Sequence, residues 1–123
     1  MFKKKYRITK KKDFEKVLKS QDTKKINSKF INLFFLDNNL NYPRISVLAG
    51  VRTVSKKATE RNRAKRRVRE AIKQKFSIIK DKGVDILVFC KKNCITANFQ
   101  DILEDVRSSL LRLVDLLKVE KNK

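Results

Sequence analysis

The chain has 123 residues, 41% of them hydrophobic, with two glycines and one proline; this is one domain with a modest core, not a disordered low-complexity segment. Its 33 lysines and arginines against 13 acids leave a formal charge of +20, which a compact domain tolerates when a polyanion neutralises it. No apolar run approaches the ~20 residues of a membrane helix, and two cysteines without a single histidine make a poor zinc site and no disulfide framework.

Residues 1–12 hold seven basic side chains and no acid, so a flexible basic arm is expected there. No long apolar stretch follows the basic start, so no signal peptide is expected. Asp13 to Ser20 reads as a short helix, with Phe14, Val17 and Leu18 on one face and Asp13 suited to its N-terminal end. Lys29 to Leu36 is dense in apolar residues and reads as a strand. Arg44 to Val51 alternates, with Ile45, Val47, Ala49 and Val51 on one side, which is the pattern of a half-buried strand. The two are expected to pair as antiparallel neighbours across the Asn-rich stretch between them. Ala58 to about Lys80 reads as a long helix ended by Lys82-Gly83, and Val84 to Cys90 as a strand. Phe99 to about Leu117 keeps a helical apolar stripe through Ile102, Leu103, Val106, Leu110, Leu113, Val114 and Leu117. Lys118 to Lys123 is expected to be a short charged tail, and residues 1–123 one domain.

The long helix carries the most information. Ala64, Val68, Ala71, Ile72 and Phe76 form one stripe at 100° per residue, which faces a core. Asn62, Arg66, Arg69 and Lys73 form a second stripe away from it, Lys65 lies between the two, and Arg63 and Arg67 point to the remaining flank. Guanidinium groups match phosphate oxygens in pairs, and Asn62 offers a donor and an acceptor to a base edge or a 2′-OH. A row of like charges destabilises an isolated helix, so the row makes sense against a polyanion. The missing histidine removes the commonest general base, and the acids are scattered. Asp101, Glu104 and Asp105 fit the solvent face of the last helix. No catalytic side chain and no metal ligand is expected in the protein itself.

Lys57-Ala58, Arg61-Asn62-Arg63, Lys65-Arg66 and Arg69-Glu70 resemble the signature of the bacterial ribonuclease P protein family, and Arg7-Ile8 with Asp13-Phe14 and Val17-Leu18 is similar to that family's N-terminal helix region. The resemblance covers nearly the whole chain. It implies an α/β two-layer sandwich of order αβββαβα, with a left-handed βαβ crossover, akin to the second domain of a small-subunit ribosomal protein. Because only three strands are clear in the sequence, the fourth is expected to be short. The resemblance implies a cytoplasmic protein subunit of an endoribonuclease whose RNA performs the reaction with Mg²⁺ and removes the 5′ leader of precursor tRNA. The implied partners are ribonuclease P RNA and precursor tRNA, with no membrane and no protein partner.

By that resemblance, Lys57, Arg61, Asn62, Arg63, Lys65, Arg66, Arg69 and Lys73 bind RNA, and Phe14, Leu18, Ile31 and Leu33 line a cleft for the single-stranded leader. Two departures stand out. Arg52-Thr53-Val54 occupies the place where the family often has Ser-Lys-Lys, with Ser55-Lys56-Lys57 three residues later, and Leu18 and Leu33 stand where aromatics are common. Phe14 and Phe35 are further stacking candidates, Phe35 reading better as core. Three other classes fit the charge: a ribosomal or other structural RNA-binding protein, a basic DNA-binding module, and a membrane-surface protein. The first would owe no cleft to a leader, the second needs an exposed recognition helix, and the third needs an apolar face the core already uses.

Overall fold

The structure is a computed structural model that describes residues 2–121, with side chains described through Val119. In chain order it holds α1 (Lys11–Lys19), β1 (Lys24–Asn27), β2 (Ile31–Asp37), β3 (Arg44–Leu48), α2 (Ala58–Gln74), β4 (Val84–Cys90) and α3 (Phe99–Lys121), the αβββαβα order. The fourth strand is the four-residue β1, polar at three of its positions, which explains why its pattern is weak in the sequence.

The sheet runs β1-β2-β4-β3. Here the expected pairing of β2 with β3 is corrected: β4 lies between them, antiparallel to β2 and parallel to β3. The reason is burial. Six of the seven residues of β4 are buried, on both faces, and such a strand belongs in the interior of a sheet. The parallel β3–β4 pair requires a crossover, and α2 supplies it.

One face of the sheet packs under α2 and α3. Ile26, Ile31, Leu33, Phe35, Ile45, Val47, Ile86 and Val88 meet Ala64, Val68, Ala71 and Ile72 of α2 and Ile102, Val106, Leu110 and Leu113 of α3 in one core. The stripes expected on both helices, and Phe35 as core, are thus found. The other face carries α1 over its middle strands, with Val17 and Leu87 fully buried.

Several boundaries moved, each for a local reason. β3 ends at Leu48, and Val51, expected on a buried face, is 53% exposed. A turn closed by the Val54 N–H on Gly50 O (3.0 Å) intervenes, and Val54 fills the core instead. α2 ends at Gln74, where the Lys75 N–H reaches back to Ala71 O and Ile72 O, and Phe76–Ile78 form a 3₁₀ turn. Lys82-Gly83 therefore does not end that helix. Gly83 answers a different need: a Cβ there would stand 1.9 Å from Leu40 O. The helix α1 begins at Lys11, so Asp13 lies within its first turn rather than at its cap.

Where the sequence suggests a free arm over 1–12, Phe2 packs on Phe76, Tyr6 packs edge-on against Phe76 and Tyr42, and Ile8 N–H bonds Ile45 O of β3 (3.2 Å). Where it suggests a tail from residue 118, the α3 backbone continues to Lys121. Asp105 is also corrected. Instead of facing solvent, it accepts from Ser28 Oγ (2.7 Å) and the Phe30 N–H (2.9 Å), pinning α3 to the turn between β1 and β2.

Candidate nucleic-acid interface

Helix α2 stands on its apolar stripe, and this fixes where its basic residues point. Asn62, Arg66, Arg69 and Lys73, one stripe at helical spacing, line a single open pocket of about 310 Å³ together with Phe2 and Glu70. Asn62, Arg66 and Lys73 are exposed and Arg69 half-exposed. Among the described residues, Arg66, Arg69 and Lys73 make no ion pair. Three cations are held side by side with nothing but solvent and Glu70 to offset them, at a cost in mutual repulsion that an incoming anion removes.

Arg61, Arg63 and Arg67 of the same helix have structural work. Arg63 Nε donates to Ile95 O (2.9 Å), and Arg67 donates to Cys94 O (2.8 Å), Ile95 O (3.1 Å) and Ala97 O. Both clamp the segment that leads into α3. Arg61 donates to Ser55 O (3.0 Å) and Lys56 O (2.9 Å), while Ser55 Oγ bonds Glu60 Oε1 (2.5 Å) and accepts the Lys57 N–H (3.1 Å). The displaced Ser55-Lys56-Lys57 thus forms the entry turn of α2. Lys57 is exposed and Lys65 half-exposed. Lys65 and Arg69 lie close enough to the end of β4 for their charges to act on Cys90.

A second concavity, about 430 Å³, opens on the α1 side of the sheet. It is lined by Leu18, Asn32, Phe34, Thr53, Phe89, Cys90 and Lys91. Of the four cleft residues expected, only Leu18 lines it. Phe14 is half-buried one turn earlier on α1. Ile31 and Leu33, 1% and 0% exposed, point into the core beneath α3. The error is one of parity, because alternate residues of a strand face opposite sides. The β2 residues that face the cleft are Asn32 and Phe34, and their partners across the ladder are Phe89 and Leu87 of β4.

Phe34 and Phe89 form an edge-to-face pair at 5.5 Å, and Lys25 Nζ lies 5.4 Å from the Phe34 ring centre. Lys91 Nζ bonds Asn27 Oδ1 (2.6 Å) and Ser28 O at the cleft's end. Asn32 Oδ1 is buried without a hydrogen-bond partner. The cleft therefore offers two rings and flanking ammonium groups, the elements on which unpaired bases stack and their phosphates rest. The sequence carries one weak signal for Phe34, the reading of its neighbour Phe35 as core, and the assignment of Ile31 and Leu33 to the cleft ran against it.

Helix α1 is held over this cleft by a partly buried ion network. Arg44 donates through Nε and Nη2 to Asp85 Oδ1 (2.8 Å) and Oδ2 (2.6 Å), and through Nη1 to Asp13 Oδ2 of α1 (3.3 Å). Asn38 Nδ2 adds a donor to Asp85 (2.9 Å). The hydrogen bond to Asp85 pushes Arg44 above its already high ordinary value. Among the described residues, no three carboxylates, thiols or imidazoles gather where they could hold a metal ion.

The model of the family described as Ribonuclease P matches residues 2–114. The chain is 34% identical over 119 residues to the ribonuclease P protein component of Streptococcus thermophilus, spanning 97% of this chain and 96% of that one. It is 31% identical over 106 residues to the ribonuclease P protein component of Pseudanabaena, spanning 86% and 89%. Among solved structures it superposes on the RNase P protein from Thermotoga maritima with a TM-score of 0.73 at 27% identity, over 86% of this chain and 96% of that one.

Proposed function

The chain belongs to the ribonuclease P protein family, and from that premise we propose that it binds ribonuclease P RNA through α2 and the 5′ leader of precursor tRNA through the α1 cleft. The proposed reaction is endonucleolytic removal of the leader to give the mature tRNA 5′ end. Mg²⁺ is held by the RNA, and no protein side chain takes part in bond cleavage. Membership also removes the ribosomal, DNA-binding and membrane-surface alternatives.

The observation that carries the reading is the shared pocket of Asn62, Arg66, Arg69 and Lys73. Cations without protein partners, on a helix anchored by its opposite stripe, form a rigid surface for phosphates. Lys57 and Lys65 extend it. Arg61, Arg63 and Arg67 act mainly by fixing the helix and its neighbours, so RNA contacts from them use only the donors left over. In the cleft, Leu18, Phe34 and Phe89 supply apolar surface and stacking for leader bases, in place of Ile31 and Leu33, while Lys25 and Lys91 face the leader phosphates. Among the described residues no helix is long and apolar enough to cross a membrane, and the proposed site of action is the cytoplasm.

The test is reconstitution of purified protein with bacterial ribonuclease P RNA and precursor tRNA at limiting Mg²⁺. A gain in cleavage over RNA alone is expected, and equal rates with and without protein overturn the proposal. Arg66→Ala and Arg69→Ala should each lower RNA affinity and reduce the log–log salt slope by about 1. An unchanged slope places that residue off the interface.

A further inference from the structure

The pocket beside α2 is more than a row of charges, because Phe2 shares its lining. The backbone just beyond Phe2 is fixed by the Lys4–Tyr6 turn and by Ile8 on β3, and the ring itself is half-buried against Phe76, 6.2 Å between centres. An aromatic side chain therefore lines the same pocket as Asn62, Arg66, Arg69 and Lys73. The volume, about 310 Å³, lies at the lower end of the ~300–1,000 Å³ that small-ligand pockets span.

A plain phosphate-binding surface needs neither a ring nor a carboxylate. This pocket has both, since Glu70 shares its lining and is exposed there, its Oε1 3.4 Å from Gln74 Nε2. Against three cations the pocket keeps a positive balance, yet it also holds one strong acceptor. A ring, a carboxylate acceptor, an amide and cations together match one nucleotide: base on the ring, amino group on the carboxylate, phosphate on the cations.

We propose that Phe2, Asn62, Arg66, Arg69, Glu70 and Lys73 form a pocket for one unstacked nucleotide of the RNA, preferring a base that carries an exocyclic amino group. The inference rests on the reading of α2 as an RNA-binding surface and specifies what that surface accepts. Phe2 is its stacking platform, Glu70 accepts from the amino group, and Asn62 serves the remaining base edge or the 2′-OH. Arg66, Arg69 and Lys73 hold the flanking phosphates. A continuous duplex offers phosphates but no free base face, so it engages only the cations.

The experiment measures binding of the full chain to a short RNA duplex and to the same duplex carrying a single bulged adenosine or a single bulged uridine. The bulged adenosine should bind about tenfold tighter than the unbroken duplex, within the ~1–3 kcal/mol of base–aromatic stacking, and uridine should bind less tightly than adenosine. Phe2→Ala should erase the bulge preference and leave duplex binding unchanged, whereas Arg66→Ala should weaken both. Glu70→Gln should narrow the gap between adenosine and uridine. The chain has no tryptophan, so Phe2→Trp places a single fluorophore in the pocket, and the bulged RNA should quench it where the unbroken duplex does not. Equal affinity for bulged and unbroken RNA, with Arg66→Ala still weakening both, overturns this inference and leaves the RNA-binding surface standing. If Arg66→Ala alters neither affinity, the RNA-binding reading of α2 fails, and this inference with it.

Discussion

Removing one guanidinium should unsettle the whole α1 side of the sheet. In Arg44→Met, Asp85 loses both donors at 2.8 and 2.6 Å and keeps only Asn38 Nδ2 at 2.9 Å, while its side chain is 7% exposed. Breaking a buried pair from one side costs about 3–5 kcal/mol, because the remaining charge is left uncompensated. Arg44 keeps 24% of its side-chain surface in contact with solvent, so water reaches the vacated space and the lower end applies, about 3 kcal/mol. Against a domain stability of about 5–15 kcal/mol, this lowers the melting temperature by roughly 10 °C. Urea titration followed by far-UV circular dichroism at constant m-value measures it. Two companions fix the cause. Asp13→Asn, whose contact is 3.3 Å and more open, should cost under about 1 kcal/mol. Arg44→Met with Asp85→Leu should recover more than half of the single loss, since an apolar pair carries no desolvation penalty. A single Arg44→Met variant within about 0.5 kcal/mol of the unmodified chain, or a double variant no better than the single, refutes the reasoning.

Other outcomes follow from the same geometry. Asp105→Ala leaves the Phe30 N–H without its acceptor and Ser28 Oγ with only Ile31 O at 3.0 Å and should destabilise the chain by about 1–3 kcal/mol; an unaltered urea midpoint would contradict the pinning of α3. Phe34→Ala should weaken binding of precursor tRNA by about 1–3 kcal/mol while leaving mature tRNA unaffected, and equal losses on both would remove the ring from the leader's path. The hydrogen bond to Cys94 and then burial push the Cys90 thiol up, and Cys94 Sγ donates to Phe30 O (3.0 Å). Both thiols are buried, so both should resist Ellman's reagent at neutral pH until the chain unfolds. The fold keeps Cys90 protonated, so its contribution is full below the unfolded thiol value of about 8.5 and declines as pH rises above it. The alkaline loss of stability should accordingly be shallower in Cys90→Ala, and an identical slope would show that Cys90 does not titrate differently on folding.

What the sequence by itself determined is chiefly what a helical period carries. The 3.6-residue stripe of Ala64, Val68, Ala71 and Ile72 faces the core, the stripe of Asn62, Arg66, Arg69 and Lys73 lies together in one pocket, and α3 buries the series from Ile102 to Leu117. Helical phase is local geometry, so spacing alone settles which side chains share a face. The family, too, was legible in the letters of α2.

Tertiary structure alone decided what depends on a partner. A dense apolar strand such as Ile31–Asp37 shows no polar parity, so its inward and outward residues were exchanged until α3 claimed Ile31 and Leu33 and left Phe34 to the cleft. The insertion of β4 between β2 and β3 follows from two-sided burial, which no pairwise reading of neighbouring strands contains. Arg63 and Arg66 are the same residue type three positions apart; one donates to Ile95 O and the other lines the open pocket because the segment before α3 packs on one flank of the helix. Contacts between residues far apart in the chain decide such differences, and a linear pattern records only the neighbours it can count.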